Sequence, residues 1–358
     1  MSEGFLLSRI LLRFNKEDED LINELSAAAL TPDGSLWVGS DELLGVERLS
    51  TLGSHIYGNG QHFHLGDFIN LFNTEDEIDI EGMDYANNYL WFTGSHSYKR
   101  KKPKDKSPEK DIHRLSQVKT DINRFLLGRV PVIGGELVKS YCPSDDSENK
   151  VSAASLQKVG NSNLLIEALK EDIHLAPFLT NSIPSKDNGL DIEGLAVQGD
   201  KIFLGLRGPV LRGWAIILEI EVEETQADTL VLKEISNEGK KYKKHFVYLN
   251  SLGIRELCFK DEDLIILAGP TMDLEGVMEV FRLKEVLSLT EDSIHHPESD
   301  QLEMLFNLPF TIGSDHAEGL ALYSCLGEKD ALLVVYDSPD KSRKPSKREI
   351  FADVFRLP

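Results

Sequence analysis

The chain has 358 residues, 41% of them hydrophobic and 28% charged, with a formal net charge of −21. That length suits one large repeat domain or two ordinary ones, and the composition is that of a globular chain with a real core. Binding along a phosphate backbone needs an excess of Lys and Arg, so the acidic balance argues against a nucleic-acid partner.

In chain order, Met1–Phe14 carries no basic run ahead of its apolar residues, so no signal peptide is read there. Leu6–Phe14 predicts a strand and Lys16–Asp20 a charged turn. Leu25-Ser26-Ala27-Ala28-Ala29 leads into the turn signal Thr31-Pro32-Asp33-Gly34 and then the strand Leu36–Ser40. The stretch Asp79-Ile80-Glu81-Gly82-Met83-Asp84 is followed by an apolar strand at Leu90–Thr93. The same pair recurs as Asp191–Ala196 with Ile202–Leu206, and as His316–Ala321 with Leu332–Tyr336. A looser copy, Ile254-Arg255-Glu256-Leu257-Cys258, precedes Leu264–Ala268. Aligning Trp37 with Trp91 puts Ala27 opposite Glu81, so the first repeat lacks the glutamate.

Third strands are expected at Gly45–Leu49, Arg124–Val132, Ala215–Val222, Gly276–Leu283 and Ala352–Leu357. Outer strands are expected at Gln61–Phe68, at Leu230–Ile235 or Lys244–Leu249, at Gln301–Leu308, and in an undefined segment before Asn181. The last repeat has no fourth strand of its own, and Leu6–Phe14 is free to fill that place. Pairing the two ends closes a ring and removes exposed sheet edges, as in a β-propeller. From Glu193 to Glu256 is 63 residues, from Glu256 to Glu318 is 62, and from Glu81 to Glu193 is 112. The long step is read as one blade with insertions. The expected fold is therefore all-β: a single propeller domain over residues 1–358, with five blades and six as the alternative. It carries a basic loop insertion at 96–122 and a helical insertion at 143–180, where Val151–Gly160 and Leu164–Ile173 have helix-like patterns. Regular helices between strands, which a parallel α/β sheet needs, are missing from most gaps.

The three cysteines, Cys142, Cys258 and Cys325, lie far apart with no C-x-x-C spacing, which suits a reducing, cytoplasmic setting. No apolar run reaches the roughly 18 residues of a membrane span. Nucleotide-binding glycine loops, G-x-S-x-G and H-E-x-x-H are all absent.

The Asp-x-Glu-Gly-Leu-Ala copies, Leu36–Asp41, Gly94-Ser95-His96-Ser97 and Val335-Tyr336-Asp337-Ser338-Pro339 together resemble a bacterial family catalogued as domain of unknown function 3616. The resemblance covers nearly the whole chain. More loosely, the chain is similar to the phytase-like esterase and SdiA-regulated propeller families. The resemblance implies a propeller and brings no catalytic residue with it.

In a blade, the starts of first strands and the ends of second strands share one mouth. A hard cation, Ca2+ or Mg2+, is expected there on Glu81, Asp191, Glu193, Glu256 and Glu318, because such ions take oxygen ligands. Asp41, His96, Arg207, Arg255 and Asp337 are the expected ligand-binding residues, with the arginines suited to a small anionic group. Glu193, His316 and Glu318 are the candidates for moving protons in a metal-assisted hydrolysis of an ester or phosphoester. Lys99, Arg100 and Arg212 are placed on the surrounding loops. Two other readings stay open. A glutamate repeated in each blade can accept hydrogen bonds from backbone N–H groups, with Gly82, Gly194 and Gly319 allowing close approach. The molecule can also be a non-enzymatic platform for a protein partner. His62 and His64 share one face of an outer strand, Ser155-x-x-Lys158 lacks companion motifs, and His295-His296 is expected in an exposed acidic loop.

Overall fold

The computed structural model describes residues 4–15, 19–104, 107–142, 150–226, 228–236 and 238–358. The strands run as antiparallel meanders. The first is Leu25–Leu30, Leu36–Ser40, Gly45–Gly53 and Ile56–His64. The second is Ile80–Ala86, Tyr89–Gly94, Leu127–Ile133 and Ala154–Leu156. The third is Asp191–Gln198, Lys201–Gly208 and Trp214–Gln226, with two short strands sharing its outer edge. The fourth is Gly253–Lys260, Asp263–Gly269, Met278–Leu283 and Leu302–Leu308. The fifth is His316–Cys325, Glu328–Asp337 and Glu349–Phe355.

Leu6–Arg13 completes the fifth meander. It lies antiparallel to Glu349–Phe355 from Leu6↔Phe355 to Arg13↔Glu349, and touches the first meander through Leu11↔Ile56 and Leu12↔Tyr57. The N-terminal strand thus fills the place expected for it.

Each innermost strand packs against two others, and the contacts form a closed cycle: first to second, second to third, third to fourth, fourth to fifth, fifth to first. The apolar core is divided accordingly. Trp37, Val46, Ile80 and Phe92 fill the space between the first two meanders. Trp91, Leu127, Ile192 and Ile216 join the second to the third. Phe203 and Ile217 meet Ile254 and Phe281, Leu267 and Val280 meet Leu320 and Val334, and Ile10, Leu12 and Leu333 meet Leu25 and Leu36. A strand covered on both faces reads as an unbroken apolar run, which is why Leu36–Ser40 and Ile202–Leu206 are buried throughout. The arrangement is all-β and propeller-like.

Local patterns misled in three places. Val151–Gly160 is strand rather than helix: Ala154 and Ser155 pair with Arg129 and Gly128, and burial of Ala153 and Ala154 outweighs their helix propensity. The helices of that insertion are Leu164–Leu169, capped by Asn163, and Ala176–Thr180; residues 143–149 lie outside the described residues. Secondly, both expected outer strands of the third meander exist. Lys243–Tyr248 pairs with the first half of Trp214–Gln226 and Thr229–Leu232 with its end, and Thr229–Leu232 also runs parallel to Ala154–Leu156. Thirdly, His295 is buried on the short strand Ser293–His295, where His245, Ser293 and His295 share hydrogen bonds of 2.7 Å.

In the basic insertion, Lys99–Arg100 pairs with Val118–Lys119 and brackets a helix, Pro108–Leu115, capped by Ser107; residues 105 and 106 lie outside the described residues. The charged turn read at Lys16–Asp20 has residues 16–18 outside them too, and Glu19–Asn23 is a short helix. Among the described residues no helix is long and apolar enough to cross a membrane.

Candidate functional site

Each innermost strand has a one-residue bulge at the same height. Ladder pairs skip from Ile80 to Gly82, from Ile192 to Gly194 and from Ala317 to Gly319. They also skip from Leu25 to Ala27 and from Ile254 to Glu256. The bulged residues are Ser26, Glu81, Glu193, Arg255 and Glu318. A bulge turns its extra side chain out of the alternation of the strand. Glu81, Glu193, Arg255 and Glu318 all line one cavity of about 910 Å³.

This register corrects the repeat alignment. Glu256 stands opposite Gly194, and Arg255 occupies the glutamate position of the fourth meander. Ala27 likewise stands opposite Gly82, with Ser26 opposite Glu81. The slip arises because the first hairpin is one residue longer: ladder partners Leu30 and Leu36 enclose residues 31–35, whereas Tyr85 and Leu90 enclose residues 86–89. The motif glycines mark close contacts between neighbouring inner strands. A Cβ at Gly82 would lie 2.7 Å from the Glu193 carbonyl oxygen, and one at Gly319 would lie 2.9 Å from the Ala28 nitrogen.

Asp79, Asp191, Glu193 and Glu318 of the cavity are tied to guanidinium groups. Arg207 Nη1 is 2.6 Å from Glu193 Oε1, and the same group pairs with Asp191. Arg255 Nε is 3.0 Å from Glu193 Oε2, and its Nη2 pairs with Glu318. Arg124, buried beneath the second meander's loop, pairs with Asp79 and donates to Ser95 Oγ at 3.2 Å and Ser97 Oγ at 3.3 Å. Arg124 was expected merely to start a strand. It sits on a 3-10 turn, Ile122–Phe125, and its only signal in the sequence is a lone cation ahead of Phe125-Leu126-Leu127. His316 lies 3.5 Å from Asp337 Oδ2 and 3.4 Å from Glu275 Oε2.

Charge crowding shifts several of these groups. Burial, then the nearby charges of Asp79, Glu193, Asp191 and Asp41, holds the Glu81 carboxyl well above the usual range. Burial and the acids Asp79, Glu24, Asp337 and Glu42 push Asp41 up to about 8. Burial raises Asp191 to about 7 against the pull of Arg207. The hydrogen bond from His316 raises that imidazole, and on Asp337 hydrogen bonds from His316, Glu24 and Ser338 outweigh burial and lower it.

Asp41, Arg207, Arg255 and Asp337 line the cavity, as expected of ligand-binding residues, and His316 lines it with them. His96 does not. It is fully buried, with Nδ1 2.7 Å from the Gly94 carbonyl and Nε2 2.8 Å from Asn163 Nδ2, and burial lowers it to about 4. It is a packing group beneath the site. The expected metal set also comes apart. Glu256 Oε1 accepts from the backbone N–H groups of Leu195 and Leu257, both at 2.8 Å, so it is structural. Asp191, Glu193 and Glu318 are held by arginines, and Glu81 lines the cavity among the acids Asp79, Glu193, Asp191 and Asp41. Among the described residues no group of three or more His, Cys, Asp or Glu side chains is arranged to hold a metal ion. The donors present therefore do not fit Ca2+ or Mg2+, because a guanidinium already sits where the cation was expected.

Basic residues form part of the cavity's lip. Arg100 is 2.6 Å from Asp187, Lys119 3.3 Å from Asp121 and Lys186 3.3 Å from Asp273. Lys101, Lys102 and Arg114 line the same cavity with no carboxylate partner among the described residues. Of the insertion that carries them, only His96, Lys99 and Arg100 were expected at the mouth.

The overall fold is similar to that of a calcium-binding protein, regucalcin, from Agrobacterium tumefaciens, at 9% identity and a TM-score of 0.40 over 100% of each chain. It is similar to virginiamycin B lyase from Staphylococcus aureus at 7% identity and a TM-score of 0.38, covering 98% of this chain and 99% of that one. A PQQ-bound aldose sugar dehydrogenase from Streptomyces coelicolor matches at 10% identity and a TM-score of 0.37, over 98% and 99% of the two chains. Likenesses at this level bring no activity to this chain. No curated protein matches it in sequence. A family model does match, over residues 24–353, and the chain belongs to that family, described as Protein of unknown function (DUF3616).

Proposed function

We propose that the chain is a five-bladed propeller whose mouth binds a small anionic molecule and hydrolyses an ester or phosphoester bond in it. The closed cycle of inner strands and the separate core between each pair of meanders support the blade count. One observation carries the ligand reading: Lys101, Lys102 and Arg114 line the cavity with no ion pair of their own among the described residues. Arg207 and Arg255 are already neutralised by acids, so the anion belongs to the lip. A guanidinium and two ammonium groups suit a carboxylate or phosphate.

The floor supplies acid–base groups. Asp41, raised to about 8, keeps a proton at neutral pH and can donate it to a leaving oxygen. His316, oriented by Asp337, is the base for an attacking water. Glu193 and Glu318, held by arginine, anchor the floor instead of moving protons. This chemistry uses the chain's own groups and calls on no metal. The free thiols of Cys258 and Cys325 suit a reducing compartment such as the cytoplasm.

The test is isothermal titration of the purified protein with inorganic phosphate and citrate, beside a screen of nitrophenyl esters and phosphates. The wild type should bind an anion saturably, and Lys101→Glu/Lys102→Glu should lose at least tenfold in affinity. Absence of saturable anion binding would overturn the ligand reading. Binding without turnover of any ester, unchanged in His316→Gln, would remove the hydrolytic step.

A further inference from the structure

The charges around the mouth are sorted by meander. Lys101, Lys102 and Arg114 all come from the insertion in the second. Asp41 comes from the first and Asp337 from the fifth, at the ends of their second strands, and both line the same cavity. Elsewhere in the mouth most of the buried acids have a guanidinium: Asp79 has Arg124, Asp191 has Arg207, and Glu193 and Glu318 share Arg255, while Glu81 sits among acids. The Asp41–Asp337 end has none. The charges acting on Asp41 are further acids, Asp79, Glu24, Asp337 and Glu42, and the basic group paired with Asp337 among the described residues is His316. Asp41 Oδ1 is buried without a hydrogen-bond partner. An unsatisfied buried carboxylate oxygen is costly unless something completes it.

A divalent ion is a poor match for that end, because among the described residues no three His, Cys, Asp or Glu side chains are arranged there to hold one. A primary ammonium asks for less. It brings three N–H donors and one charge, and two carboxylate oxygens with water satisfy it. The cavity, at about 910 Å³, is large enough to hold an ammonium and an anionic group at once.

We propose that the mouth takes a small zwitterion, with a primary ammonium received by Asp41 and Asp337 and a carboxylate or phosphate received by Lys101, Lys102 and Arg114. The idea rests on the anion-binding reading and adds the cationic end of the ligand. An anion alone leaves Asp41 Oδ1 unsatisfied, and an amine alone leaves the basic lip so. A molecule carrying both gains at each end with one loss of translational freedom. Entry of the ammonium also displaces the proton that Asp41 holds near neutral pH, so binding releases protons and takes Asp41 out of its role as acid: a zwitterion held this way is bound and not hydrolysed.

The test is titration calorimetry at pH 7 with two series of increasing chain length, ω-amino carboxylates and ω-amino alkyl phosphates. The controls are inorganic phosphate, butyrate, ethanolamine and Ca2+ alone. At least one zwitterion should bind tenfold or more tightly than its own anionic half, and the better series identifies the anion. Repeating that titration in buffers of different ionisation enthalpy should show proton release. Asp41→Asn should abolish the preference while keeping anion binding, and Lys101→Glu/Lys102→Glu should lose both. Should Asp41→Asn fail to fold, the wild-type length series and Asp337→Asn decide the matter. Equal affinity for every zwitterion and its anionic half overturns the inference and leaves the anion site standing. Tight Ca2+ binding lost in Asp41→Asn overturns it in favour of a metal. Failure of all anions to bind overturns both readings.

Discussion

Arg255 stands in the fourth inner strand where Glu193 stands in the third, and its Nε lies 3.0 Å from Glu193 Oε2 while its Nη2 reaches Glu318. One guanidinium thus bridges the bulge residues of the meanders on either side. Three glutamates crowded around an axis would repel one another, and the chain answers with an internal cation.

Removing that bridge should be expensive. Arg255→Gln takes the Arg255 ion pair from Glu318 and leaves Glu193 paired with Arg207. Breaking one side of a buried ion pair costs about 3–5 kcal/mol, and the lower figure is expected because Glu193 keeps a second arginine. Arg255→Lys should rescue little, since an ammonium cannot bridge two carboxylates as a fork does. Urea unfolding midpoints check this; a wild-type midpoint for Arg255→Gln would refute the bridging role.

Glu256 should behave oppositely to a ligand-binding acid. It is buried with its carboxyl raised by burial, and it accepts from two backbone amides through Oε1. A carboxamide oxygen can accept the same two bonds, so Glu256→Gln should fold almost as stably as the wild type. Glu256→Ala should lose roughly 1–3 kcal/mol, the cost of stranding buried N–H groups. Neither change should alter anion affinity in the folded protein, which calorimetry measures directly.

The sign of the pH dependence follows from Asp41. Its carboxyl moves from 3.8 to about 8 on folding, so the folded state holds the proton more tightly. Stability therefore falls as pH rises from about 4 to about 8, and this loss is complete above that window. Asp41→Asn removes the term. The variant should be more stable than the wild type at pH 9 by at least ~1 kcal/mol, with the gain shrinking towards pH 4. His316 adds a smaller term of the same direction: its raised pKa stabilises the fold below its unfolded value of 6.5, and this is lost as pH climbs through the folded value. Thermal melts from pH 4 to pH 9 check the crossing; a gain largest at low pH would contradict the assignment.

Closure of the ring should depend on Leu6–Arg13. Ile10 and Leu12 are fully buried between the fifth and first meanders, and the strand covers the edge of Glu349–Phe355. Deleting residues 1–14 exposes that edge, and the product should aggregate or melt without a single cooperative transition. A synthetic peptide of residues 4–15 added in trans should restore cooperativity. A truncated chain melting like the wild type would show that the closing strand is dispensable.

Much of this protein was written in its sequence by itself. The recurring Ile-Glu-Gly stretch, the apolar strand after each copy and the unpaired Leu6–Arg13 set the all-β ring and its closure, because strand period, turn chemistry and two-sided burial are local signals. The mouth was legible as a place, since Asp41, Arg207, His316 and Asp337 could be assigned to strand ends facing one way. Which side chain opposes which was decided only by the tertiary structure. Glu256 and Arg255 exchange roles through a single-residue bulge, and a hairpin one residue longer shifts Ala27 out of line; both are invisible until the ladders pair. Arg124, Asn163 and the lysines at 101 and 102 join the site or its support because segments far apart in sequence fold against it. Local pattern chooses the strands, whereas charge partners are chosen by long-range contacts that no neighbouring residue encodes.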